Sequence, residues 1–321
     1  MSLSIEDATR FAQVFKSLVN GVSVAVLDKR QAVRLALTTM FAGGHLLLED
    51  APGTGKTALA RAISAVIDGT HSRIQFTPDL LPSDITGVNM FNQKSGEWVF
   101  HAGPVFAEIV LADEINRASP KTQSALLEVM EEAQVTVDGV RRPAPQPFMV
   151  IATQNPVEQA GTYPLPEAQL DRFLMKTSIG YPSRSAMIDV LDGSASPDRS
   201  KNLQPMVSGQ DIVAWSALAA DNHTDRAVLD YVAALAEATR EDESSLLGVS
   251  TRGAIGMVRC TRVWAAAQGR NFVLPDDVKA LAVPLWAHRI VVDPDAAFSG
   301  ATSEGVIQRA LTSVPAPAVG A

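Results

Sequence analysis

A short apolar run leading into glycines, a lysine and a threonine at fixed spacing is an arrangement that can hold phosphate. Residues 46–57, LLLEDAPGTGKT, have that arrangement. Gly53 and Gly55 lack a Cβ, so the backbone can take positive φ and approach a ligand closely. Successive N–H groups then face one concavity, and the start of the following helix adds partial positive charge. Lys56 can reach the outer phosphates of a nucleotide, and the Thr57 hydroxyl can ligate Mg²⁺. Pro52 stiffens the turn. The strict pattern G-x-x-x-x-G-K-[ST] has glycine where this chain has Asp50. A carboxylate facing phosphates would repel them, so Asp50 is expected to point away.

A second constellation lies downstream. In EIVLADE, residues 108–114, an apolar strand ends in two carboxylates, Asp113 and Glu114. In a doubly wound sheet, ligands bind beyond the carboxyl ends of the strands. Asp113 can hold Mg²⁺ directly or through water, and Glu114 can orient and polarise an attacking water. A third apolar strand, 148–152, runs into Thr153, Gln154 and Asn155. The neutral amide of Asn155 can hydrogen-bond a terminal phosphate or the lytic water. His101 has no second metal-type residue at a suitable spacing and reads as structural.

Helical patterns frame these strands: residues 4–19, with Phe11, Val14, Phe15 and Leu18 on one face; 32–41, closed by Gly43-Gly44; the small-residue run after Thr57; and 120–132, opened by Pro120. Residues 73–76 read as a strand, and residues 175–179 are expected to close the sheet. Arg172 is expected on a short helix after GTYPLPEAQ. Residues 84–106 hold two strand-like pieces around Lys94-Ser95-Gly96, a hairpin signal, and 134–142 another around Asp138-Gly139. Phe91, Trp98 and Phe100 are expected to form a small core of the first hairpin, the alternative being a loop that touches a partner. Beyond a polar stretch at 192–207 the pattern is all-helical, with Ser208, Thr224 and Ser250 as caps and Pro275 opening a fourth helix.

The chain has 321 residues, enough for two domains. Its net charge of −8 does not announce a general nucleic-acid binder. The one cysteine, Cys260, leaves no disulfide framework within the chain. Residues 1–11 have no basic segment followed by an apolar one, and no apolar run is long enough to span a bilayer. A cytoplasmic protein with no membrane partner is the expectation.

Taken in order, DAPGTGKT, VLADEINRA, PKTQSALLEVMEE, QVTVDG, IATQNP and YPLPEAQLDRF resemble the MoxR family of AAA+ ATPases. The likeness covers roughly residues 26–290 and continues into GVSTRGA, LPDDVKALA and HRI. The resemblance implies an α/β fold: an AAA+ P-loop NTPase core on a parallel five-stranded sheet, followed by a smaller all-helical lid. The corresponding domains are 1–182 for the core, with hairpin inserts near 84–106 and 134–142, 183–207 for a linker, 208–292 for the lid and 293–321 for a C-terminal tail. The first hairpin looks like the helix-2 insert of this group, and the second like the hairpin before sensor 1.

The resemblance also assigns roles. Ala51, Pro52, Gly53, Thr54, Gly55, Lys56, Thr57 and Ala58 match the nucleotide-binding Walker A loop, Asp113 and Glu114 match Walker B, and Asn155 matches sensor 1. Arg172 stands at the position of the arginine finger, Arg252 at sensor 2, and Arg117 is a further arginine for an interface. Asp28 departs from the glycine that relatives often carry near the adenine. The implied protein is a Mg²⁺-dependent, ATP-hydrolysing homo-oligomer, a hexameric ring that acts as a chaperone or remodelling factor. Its client is a protein, with a von Willebrand A domain partner as the family precedent. Two alternatives stay open: a nucleic-acid-stimulated motor, and the ATPase component of a metal-chelatase-like complex.

Overall fold

The computed structural model describes residues 3–51, 53–155, 161–193 and 199–318. The chain forms two compact units. One comprises Leu18–Leu165 and Thr177–Val213, the other Met1–Ser17, Pro166–Lys176 and Ala214–Ala321.

The first unit contains strands β1 (Leu46–Glu49), β2 (His71–Gln75), β3 (Gly87–Asn92), β4 (Glu97–Ala102), β5 (Ile109–Asp113), β6 (Gln134–Val137), β7 (Val140–Pro143) and β8 (Met149–Gln154), and the division between the units falls within β9 (Met175–Thr177). The main sheet is five-stranded, in the order β2-β5-β8-β1-β9, and its β2, β5, β8 and β1 are mutually parallel. A parallel sheet is covered on both faces, so its strands are apolar throughout rather than alternating. Leu46–48, Ile109–Ala112 and Met149–Ala152 are accordingly all buried. Helix Lys56–Val66 follows β1 and buries Leu59, Ile63 and Val66. Helix Pro120–Glu132 starts as expected, with Pro120 in its first position and the Ser119 hydroxyl accepting from the Thr122 N–H.

Both expected hairpins form. β6 and β7 turn through Asp138 and Gly139, both at positive φ. In the β3–β4 hairpin the expected aromatic core is only part present. Phe100 lies edge-on to Phe106 and under the Arg142 guanidinium, 3.9 Å from the ring centroid. Phe91 and Trp98 pair across the strands but stay 52% and 71% exposed. A two-stranded ribbon has no second layer to bury them.

Several other expectations shift. Residues 184–192, placed in a linker, form a helix capped by Ser183. Asp225 rather than Thr224 caps helix Arg226–Glu241. Thr224 instead accepts a hydrogen bond from Arg262. Residues 293–321, expected as a tail, carry helices Pro294–Phe298 and Ser303–Ser313. The second buries Val306, Ile307 and Ala310, and Arg309 clamps Asp242 through two 2.7 Å bonds. The apolar positions 306, 307 and 310 were masked from a sequence reading by the Pro-rich end that follows. Arg172 falls in the turn after the short helix Glu167–Leu170, not on it.

The helical unit is organised by helices Arg226–Glu241, Thr251–Ala266 and Pro275–Trp286. Cys260 is buried in it, and burial pushes its thiol up to about 12, so it acts as packing rather than as a nucleophile. At its centre Arg289, 7% exposed, donates to the Asp171 carboxylate at 2.7 Å and to the carbonyls of Phe173, Leu174 and Leu285. Ser250 Oγ also reaches Asp171, at 3.3 Å. Next to Arg289, the buried His288 has its Nε2 3.0 Å from the Phe173 carbonyl. Among the described residues no helix is long and apolar enough to cross a membrane.

These contacts give two expectations. Arg289→Ala strips a half-buried carboxylate and several carbonyls of their donor, and should cost about 3 kcal/mol in chemical denaturation. Burial, with the adjacent Arg289 charge, holds His288 well below its ordinary pKa. The unfolded chain therefore binds a proton near its ordinary value of about 6.5 that the folded chain refuses. Stability from this group is complete above that pH and declines as pH falls below it. A thermal-melting series from pH 7 to 5 should slope downward in the wild type and flatten in His288→Gln.

Candidate active site

The first unit places the carboxyl ends of its parallel strands side by side. Register pairs Gln75 with Asp113 and Ala112 with Ala152, which sets Asp113 beside Thr153. It also pairs Leu48 with Thr153 and Glu49 with Gln154. The loop after β1 therefore starts next to the acidic end of β5, with one strand between them.

In that loop Gly53 and Gly55 take φ of 81° and 99°, a region that disfavours side chains. A Cβ built on either meets nothing within 4 Å, so the space before the loop is open. Gly55 caps helix Lys56–Val66, whose first N–H groups face the same way. Lys56 Nζ donates to the Asp50 carbonyl at 2.9 Å and to the Ala51 carbonyl at 3.3 Å, which keeps the ammonium over the loop. Pro52, named above for this loop, lies outside the described residues. Thr54 is buried, and its hydroxyl donates to the Ala51 carbonyl at 3.2 Å. The Asp50 carboxylate accepts N–H bonds from Ile179 and, at 3.0 Å, Gly180. It is thus turned from the loop's mouth, as electrostatics required.

Asp113 is 8% exposed. One of its oxygens accepts from Thr153 Oγ1 at 2.7 Å, and the other pairs with Arg73 at 2.6 Å. The same Thr153 hydroxyl accepts the Glu114 N–H at 2.9 Å. Glu114 itself sits in the left-handed region, φ 57° and ψ 51°, a conformation that costs about 1–3 kcal/mol for a non-glycine residue. Its carboxylate accepts from Gln75 Nε2 at 3.1 Å and pairs with Arg117 at 3.2 Å. Arg117, expected at an interface, is therefore engaged with Glu114 of its own chain. Asn155 follows the end of β8 and is buried.

Lys56, Thr57, Asp113, Glu114 and Asn155 thus share one unit and one edge of one sheet. Arg172 and Arg252 belong to the other unit. Arg172 directly follows Asp171, which Arg289 and Ser250 hold, and Arg252 lies in the first turn of helix Thr251–Ala266, capped by that same Ser250. Three residues with clear geometric roles were missed from sequence: Thr153, Arg73 and Gln75. Strand pairing alone brings them to the carboxylates, and no linear spacing signals it.

The donor set suits Mg²⁺: one carboxylate and one hydroxyl leave the remaining positions to water and phosphate oxygens. No group of three or more His, Cys, Asp or Glu that could form an all-protein metal cage occurs among the described residues. Because Thr153 steers both acidic residues, Thr153→Val should slow nucleotide turnover by about tenfold or more, since misplacement of that order is enough. Equilibrium binding of the same nucleotide should change little. Equal losses in both measurements would mean that Thr153 serves the fold alone.

Comparison with known proteins agrees with this geometry. Residues 45–175 match the "ATPase family associated with various cellular activities (AAA)", and residues 237–310 match an AAA lid domain. Chaperone MoxR1 of Mycobacterium tuberculosis is 40% identical over 306 residues, 92% of this chain and 80% of its own. The uncharacterised YeaC of Bacillus subtilis is 44% identical, with 93% of each chain covered. The MoxR protein of Paracoccus denitrificans is 32% identical over 94% of this chain and 95% of its own. A crystal structure from Cytophaga hutchinsonii, of a protein provisionally named an ATPase, superposes with a TM-score of 0.90 at 35% identity, covering 98% of each chain. With the loop, the paired carboxylates and the helical lid in place, the chain belongs to the MoxR family of AAA+ ATPases.

Proposed function

We propose that the chain binds and hydrolyses ATP with Mg²⁺, as one subunit of a homo-oligomeric ring, and spends that cycle remodelling a client protein. The observation that carries the chemistry is the hydrogen-bonded line across the strand ends. It runs from Lys56 to the Asp50 carbonyl, from the Asp50 N–H to the Gln154 carbonyl, and through the neighbouring Thr153 to Asp113 and Glu114.

Each residue has one task. The backbone N–H groups of Gly53 to Thr57 cradle the phosphates, with Ala51 and Ala58 flanking them. Lys56 exchanges two carbonyl partners for the β- and γ-phosphates, a stronger charge-assisted contact. Thr57 and Asp113 would hold Mg²⁺, which when bound neutralises charge across those phosphates. To serve there Asp113 must loosen its pair with Arg73. Glu114 orients the attacking water and accepts its proton, released for that work by Gln75 and Arg117. Asn155 hydrogen-bonds the γ-phosphate or the water. Arg172 supplies positive charge to the site of a neighbouring copy, and Arg252 reports nucleotide state to the lid.

The name chaperone, carried by the M. tuberculosis relative, supports the remodelling role. A partner with a von Willebrand A domain is the adaptor that the family resemblance suggests, and a hexamer is the ring it suggests.

Glu114→Gln should keep ATP affinity while turnover falls by about a thousandfold or more, because only the water-activating group is lost. Unchanged turnover would remove Glu114 from the mechanism. Arg172→Ala and Lys56→Ala should each be inactive alone. Mixed together they should regain measurable turnover, since one copy brings an intact loop and its neighbour an intact arginine. No recovery in mixtures shown to co-assemble would contradict action across a subunit boundary.

A further inference from the structure

Asp50, which stands where the phosphate-loop pattern has glycine, and Asp28 act on the same piece of backbone. Asp50 accepts the N–H groups of Ile179 and Gly180. Asp28 accepts the N–H of Ser183 at 3.0 Å. Between them, Lys29 Nζ donates to the Tyr181 carbonyl at 2.5 Å. Residues 179–183 are therefore tied at both ends and in the middle to the segments around 28 and 50. Tyr181 and Pro182 of this stretch line a cleft of about 570 Å³ together with Leu27, Lys29, Gly53 and Gly55. The cleft opens beside the phosphate loop and is walled mainly by apolar side chains.

We propose that Asp28 and Asp50 are positioning residues for the base of the nucleotide: they fix residues 179–183 as one wall of the cleft, so that a planar heterocycle attached to a loop-bound triphosphate is gripped between that wall and Leu27. The inference rests on the ATP reading above and extends it to base recognition.

The local chemistry supports a built clamp. Asp50 is 7% exposed, and a buried carboxylate persists only where donors satisfy it. Its donors all lie on the wall rather than in the phosphate loop. Asp28 sits at φ 59°, a left-handed conformation that glycine adopts most readily and that Asp tolerates better than most residues. A glycine would satisfy the backbone here but could not reach Ser183. Hydrogen bonds from Ser183 hold the Asp28 carboxyl below the usual carboxylate range, so the tie persists across the neutral pH range. The Asp50 carbonyl also receives Lys56, so one residue links the wall to the phosphate lysine.

The test separates base from phosphate. The full-length protein is titrated with Mg²⁺ and either ATP or inorganic tripolyphosphate, and the ratio of the two affinities measures what the base adds. Asp50→Gly restores the strict loop pattern, and Asp28→Gly keeps the left-handed backbone, so both variants leave the loop able to hold phosphate. Each should lower that ratio by about tenfold, the scale of a lost pocket contact, with tripolyphosphate affinity within about twofold of wild type. Asp28→Asn, which keeps an acceptor and tolerates the backbone angle, should restore the ratio. A ratio unchanged in folded Asp28→Gly overturns the proposal even if Asp50→Gly fails to fold. Equal loss of ATP and tripolyphosphate binding in Asp28→Gly also overturns it, since the residue would then serve the loop. Wild-type protein that binds tripolyphosphate but gains nothing from the base rejects the inference and leaves phosphate binding standing. Failure to bind either one rejects both readings.

Discussion

The pairing register of two neighbouring parallel strands is the constraint on which the site depends. Ala112 lies opposite Ala152, and the next residues along are Asp113 and Thr153. Shifting that register by one residue would turn Asp113 toward the other face of the sheet and separate it from the hydroxyl that fixes it. Ile109 to Ala112 and Met149 to Ala152 are buried on both faces, so burial alone does not choose a register; the polar strand ends do, because a slip would take Asp113 from Thr153 and Arg73. Apolar burial thus supplies the stability of the strands, and hydrogen bonds at their ends hold Asp113 in place.

The cost of the arrangement is concentrated at one residue. Glu114 holds a left-handed backbone without being glycine, and such strain persists only where the surroundings over-determine it. Here three contacts do so: its N–H to Thr153, and its carboxylate to Gln75 and Arg117. The helical unit solves a comparable problem by different means. Arg289 gathers the turn that contains Asp171 through hydrogen bonds to a carboxylate and a run of carbonyls, so the adjacent Arg172 projects from a fixed point rather than from a loose loop. Both are cases of the same principle, that a side chain is as precisely placed as the residues holding it.

The phosphate loop, the acidic pair and Asn155 were legible in the linear sequence because each is a local pattern: glycines at fixed offsets, or an apolar strand ending in polar residues. The direction of Asp50 followed from electrostatics alone. Thr153, Arg73, Gln75 and Arg289 were not legible, because the acidic residues they hold stand 39 or more positions away and only the fold closes the distance; for Arg289 the carboxylate partner is 118 residues distant. Trp98 illustrates the opposite failure. Its apolar character argued for burial, but a two-stranded hairpin offers nothing to bury it against. The C-terminal helix was hidden by the prolines beyond it, although Val306, Ile307 and Ala310 carry helical spacing.

The central claim is that one edge of one sheet binds a nucleoside triphosphate through the loop around Lys56. Isothermal titration of ATP with Mg²⁺ into the full-length protein and into its Lys56→Ala variant addresses it most directly. The account predicts saturable binding of one ATP per chain in the wild type and loss of most of that affinity in the variant, with the fold intact by circular dichroism. Equal affinity in the two proteins would contradict it.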